Sequence, residues 1–149
     1  MKTKILAIIA ILCVLISCVS AKSTLKNVDE NAPEPTLTSE GYFLLSKKTT
    51  DKKYGYHKDH PINVFYKNAK DEAININRFL DALTGPNGEK IAYKKLENCC
   101  PFPTTRTEMG AGLLDLYEIS YPGISQPVQL YFNNYSKGHL YIPVGFSAK

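Results

Sequence analysis

The first seventeen residues constrain this chain most, because they withdraw themselves from whatever the remainder folds into. Lys2 and Lys4 form a basic start, Ile5 to Ile16 an almost unbroken apolar run, and Leu15-Ile16-Ser17-Cys18 sets a small residue directly before a thiol. That order is the pattern of an export leader. The apolar run is shorter than the ~20 residues a spanning helix needs, which argues against a permanent transmembrane anchor. Cys18-Val19-Ser20-Ala21 offers small residues for ordinary secretory cleavage as well.

Leu15-Ile16-Ser17-Cys18 resembles the lipobox of bacterial lipoproteins. The resemblance implies that residues 1–17 are a signal peptide and that the Cys18 thiol becomes a diacylglycerol thioether at the start of the mature chain. Losing Lys2 and Lys4 lowers the formal charge from +4 to +2, too mild for a nucleic-acid-binding surface. What remains is enough for one domain with its own core. Residues 18–40 read as a flexible linker: Asn27, Asp29, Glu30, Asn31, Pro33, Glu34 and Pro35 leave the apolar residues scattered rather than periodic. Residues 41–149 read as the folded unit.

Within that unit, Tyr42 to Leu45 suggests a short first strand, and Lys47 to Lys53 an exposed basic loop within reach of anionic headgroups. Ile62 to Tyr66 alternates as a strand after Pro61. Ala73, Ile76, Phe79, Leu80 and Leu83 fall on one helical face, with Asp71 and Glu72 at its positive end. Gly85 as a left-handed cap, Pro86 and the turn former Asn87-Gly88 end that helix. Ile91 to Leu96, Leu113 to Tyr121, Val128 to Phe132 and Leu140 to Val144 read as strands, the middle two pairing and the last an edge because of Pro143. The expected fold is α+β, with one main helix packed on a small antiparallel sheet of about four or five strands.

Chemistry is sparse in this pattern. With Cys13 lost in the leader and Cys18 alkylated, Cys99 and Cys100 are the remaining thiols, in an oxidising compartment. Adjacent Cα atoms lie ~3.8 Å apart, below the ~4.4 Å lower limit for an unstrained disulfide. They are therefore a candidate redox or soft-metal pair, or two small residues packing a turn before Pro101-Phe102-Pro103. His57 and His60, with Asp59 between them, make a metal site conceivable if His139 or a cysteine joins them. Asp115 and Glu118 point to opposite faces of a strand, wrong for acid and base acting on one bond, and read as surface carboxylates. Gly110-Ala111-Gly112 lacks the third glycine of a nucleotide loop and reads as a flexible bend. Ten tyrosines allow a glycan- or peptide-binding face, with Tyr117 and Tyr131 as candidates, but tyrosine equally packs sheets.

Tyr54-Gly55-Tyr56, Pro61-Ile62-Asn63-Val64, Arg78 to Glu89, Cys99-Cys100-Pro101-Phe102, Gly110 to Asp115 and Pro143-Val144-Gly145-Phe146 together resemble a family of small lipoproteins of Bacteroidetes-type Gram-negative bacteria. That resemblance spans most of Tyr54 to Phe146 and implies an envelope address without a mechanism. Some similar sequences bear the label 2-dehydro-3-deoxyphosphooctonate aldolase, an activity of barrel enzymes of typically ~250 residues. The combined expectation is a monomeric lipoprotein held by a lipid anchor at a membrane of the cell envelope, the outer favoured over the inner, facing periplasm or surface. It would bind an envelope protein or a glycan, without nucleic acid, cofactor or catalysis. Thiol-disulfide or metal chemistry at Cys99 and Cys100 is the alternative.

Overall fold

The computed structural model describes residues 23–66 and 72–149. The expected signal peptide (residues 1–17), the expected lipidation site Cys18 and Asp71, expected at the helix start, lie outside the described residues. The elements are β1 (Ile62–Asn63), α1 (Glu72–Ala82), β2 (Leu83–Thr84), β3 (Ala92–Pro103), β4 (Ala111–Ser120), β5 (Val128–Asn133) and β6 (Ser147–Ala148). β1, β5, β4 and β3 form one sheet in that order, and β2 pairs with β6 in a second. The α+β expectation holds, but the larger sheet is mixed, since β1 runs parallel to β5.

Helix α1 forms because its apolar residues recur on one face, and it is held because that face meets the sheet. Ile76, Phe79 and Leu80 are fully buried against Ile119, Leu130 and Phe132. The Phe79 and Tyr117 rings meet Phe132 edge-on, at 5.8 and 5.5 Å between centroids, the geometry that aromatic quadrupoles favour. The helix ends by passing straight into β2. The left-handed residue of the following turn is Gly88 (φ 91°) rather than Gly85. A side chain at Gly85 would instead collide with the Glu89 carboxylate.

β4 and β5 pair antiparallel as their alternation suggests, with Tyr117 opposite Leu130 and Asp115 opposite Phe132. β3 is longer than expected and continues through the two cysteines to Pro103. As an edge strand it tolerates Pro101 and Pro103, which have no amide proton to offer a ladder. Tyr42 to Leu45 contributes no strand: Phe43 and Leu45 are buried, and Leu37 makes a single bridge to Phe43. Ile142 likewise makes one bridge, to Lys48, and the terminal strand is Ser147–Ala148. The mixed four-stranded sheet is unlike the eight-stranded barrel that the aldolase label implies.

The segment expected to be a linker is fastened to the domain over its described part. Lys26 N–H donates to the Asp59 carbonyl at 2.8 Å and Asp29 N–H to that of Lys137 at 2.9 Å. The Asn27 side chain donates to the Pro61 carbonyl, and the Asn63 side chain to the Asn27 carbonyl. Leu25 joins Phe102 and Leu114 in a second buried cluster, on the sheet face away from α1. Polar composition is compatible with order here because the Lys26 and Asp29 amides and the Asn27 side-chain nitrogen bond the domain and one leucine is buried against it. Leu25→Ala should lower unfolding free energy by about 2 kcal/mol or more, read as a shifted urea midpoint; a free linker would leave the midpoint where it was.

Candidate functional site

The cysteine pair sits at a β-bulge. Cys99 pairs with Leu114 and Phe102 with Gly112, so β3 carries one more residue than β4 across that interval. Cys100 takes up the slack with φ 58°, the one non-glycine residue with positive φ among the described residues. A side chain in that conformation costs roughly 1–2 kcal/mol. The consequence is geometric: neighbours on a regular strand point to opposite faces, whereas here Cys99 lies beside Leu114 and Cys100 packs on the same Leu25, Phe102 and Leu114 cluster. Both thiols are free and half-buried.

Burial pushes the Cys99 thiol up to about 12, helped by hydrogen bonding with the Cys100 thiol and by the negative charges of Glu97 and Asp115. A thiol raised in this way is protonated at neutral pH, the reverse of the lowered state that makes a cysteine nucleophilic. Tyr131, on the same face, has its phenol raised by burial and by both thiols. Gly112 makes room for the rings alongside, since a Cβ there would lie 2.9 Å from Tyr135, which meets Phe102 edge-on at 5.8 Å. Gly112 is thus a strand residue fitted to its neighbours, and only Gly110 (φ 71°) belongs to the bend.

The histidines do not converge. The His57 and His60 rings meet edge-on at 6.0 Å, while His139 Nε2 lies 3.1 Å from Asp29 Oδ2. No group of three or more metal-ligating side chains occurs among the described residues. His139 instead lines an open recess of about 310 Å³ with Asp29, Asp51, Tyr54 and Tyr141. Nothing in the sequence signals this recess, because Asp29 comes from the supposed linker.

Asp115 corrects another expectation: it is 7% exposed, not a surface carboxylate. It accepts hydrogen bonds from Asn98 at 2.5 Å and Asn134 at 2.8 Å and pairs with Lys95 at 2.7 Å. Its oxygens are spent on joining β3, β4 and the turn after β5. Glu118 pairs with Lys94 at 2.9 Å. The tyrosines serve mostly as struts. Tyr117 is buried in the main core, and the Tyr66 and Tyr56 hydroxyls donate to the Gly138 and Val144 carbonyls, each at 2.5 Å. Tyr54 donates to the His139 carbonyl and accepts from Tyr141 N–H.

Comparison with protein-family models, curated proteins and solved structures returns no match. Among the described residues no helix is long and apolar enough to cross a membrane.

Two outcomes follow from the raised acids. In the native chain at pH 8, Cys99 should react with iodoacetamide roughly a hundred-fold more slowly than in urea, its scarce thiolate being only partly offset by greater nucleophilicity; peptide mass mapping reads the rate at that residue. Burial also raises the Tyr54 and Tyr66 phenols. These groups and Cys99 ionise in the unfolded chain near their ordinary values of 10.0 and 9.0 but stay neutral when folded. These groups should therefore make stability fall as pH rises above about 9, which urea titrations between pH 8 and 11 would record.

Proposed function

We propose that this chain is a lipid-anchored protein of the bacterial cell envelope whose single α+β domain works by binding or structural contact rather than catalysis. The observation that carries the reading is the leader: a basic start, an apolar run and Ser17 directly before Cys18. The resemblance of that motif to a lipobox supplies the anchor. The fold is consistent with display, since the chain enters the domain at its N-terminal segment, which is fastened to the sheet from Leu25 onward. The partner class is an envelope protein or a glycan, and the open recess lined by Asp29, Asp51, Tyr54, His139 and Tyr141 offers polar and aromatic side chains to it.

A second reading makes Cys99 and Cys100 a redox or soft-metal pair. Its support is the bulge that turns both thiols to one face. The raised Cys99 thiol weighs against rapid thiolate chemistry.

The anchor is tested in a Gram-negative host. Cys18→Ala should abolish incorporation of a labelled fatty acid and shift the protein out of the membrane fraction. Unchanged labelling and partitioning would remove the basis of the proposal.

A further inference from the structure

The lipid-anchor reading fixes a length as well as an address. Cys18 is five residues from Ser23, the first described residue. Even fully extended, five residues span about 18 Å at most. The acyl chains therefore hold the domain close to the bilayer, and the place where Ser23 sits decides which surface faces it.

Ser23 lies beside the β3–β4 hairpin end: it lines one recess with Thr104, Thr105 and Arg106, and Leu25 is buried between Phe102 and Leu114. The hairpin tip is closed by hydrogen bonds, Thr104 N–H to the Gly110 carbonyl at 3.0 Å and Gly110 N–H to that of Thr107 at 3.1 Å. The Thr107 hydroxyl donates to the Ala111 carbonyl at 2.8 Å and accepts from the Ala111 N–H at 3.1 Å. On this braced tip Met109 is 89% exposed, the most exposed large apolar side chain of the described residues, and Leu113 is 45% exposed. Arg106 is neutralised by Glu30 at 2.6 Å, which leaves Glu108 as the one unbalanced charge among these three. The opposite end of β4 is ten residues away, about 30 Å.

We propose that the β3–β4 hairpin tip, through Met109 and Leu113, is the surface by which the tethered domain rests on the lipid bilayer. The contact is apolar, so it forms on zwitterionic as well as anionic lipid. The competing surface is the basic loop at Lys47 to Lys53, which would need anionic headgroups.

The chain contains no tryptophan, so a single introduced indole reports its own surroundings. Met109→Trp, Ser125→Trp at the far end of the sheet and Thr50→Trp in the basic loop are each made in the full chain, purified as the acylated protein and reconstituted into phosphatidylcholine vesicles with brominated acyl chains. Intact mass reports the acyl group. The expected result is a blue shift and strong loss of emission for Met109→Trp alone. Acylated, vesicle-bound protein in which Met109→Trp is no more quenched than Ser125→Trp would overturn the docking surface and leave the anchor standing. Quenching of Thr50→Trp instead would assign the contact to the basic loop and also overturn it. Protein without an acyl group would overturn both readings together.

Discussion

The structure depends on two asparagines that meet in its interior. Asn63 and Asn133 are 1% and 0% exposed, and the Asn133 side chain donates to that of Asn63 at 2.8 Å. A buried amide without partners costs on the order of 1–3 kcal/mol, so each must be answered. The Asn63 amide donates to the Asn27 carbonyl, and the Asn133 oxygen accepts from Tyr135 N–H. Val64 N–H completes the parallel seam by donating to the Asn133 carbonyl at 2.9 Å. One short parallel pairing, the N-terminal segment and the turn after β5 are thereby locked to each other. Gly138 belongs to the same arrangement: a Cβ there would come within 2.8 Å of the Asn63 amide nitrogen and 2.9 Å of the Asn27 carbonyl.

This polar seam lies beside an apolar core of ordinary kind, and the two divide the work. The main core joins α1, β4 and β5 to residues of the connecting segments such as Phe43, Tyr54, Ile142 and Phe146, and burial of apolar surface is the main favourable term in folding. The asparagines bear on register, because a shift of β1 on β5 would separate the Asn63 and Asn133 amides that meet in the observed alignment. Asp115 plays the same part on the other flank of β5, where its two oxygens gather Asn98, Asn134 and Lys95. A chain with short strands and many irregular connections needs such fixed points.

Much of this was legible in the sequence where periodicity is strong. The helix from its 3.6-residue repeat, and β4 and β5 from alternation between turn formers, stand where the pattern puts them. The cysteine pair was recognisable as unusual, yet its proline neighbours suggested a turn. An edge strand with a bulge accommodates the same residues, and edge position is a property of topology that local sequence does not carry. The N-terminal segment was harder still. Asn27, Asp29 and Leu25 look like linker residues until their partners, Asn63, His139 and Leu114, are known, and those lie more than thirty residues away at the nearest. Local composition is silent about a hydrogen bond whose other half comes so much later.

That separation orders events in time. Asp29 N–H is held by Lys137, and Asn27 reaches Asn133 through Asn63, so the residues synthesised first find their places only after almost the whole polypeptide exists. Closing contacts over such a span is entropically slow. The β4–β5 hairpin is built from near neighbours in sequence, whereas the N-terminal stretch is joined to the sheet by partners more than thirty residues away.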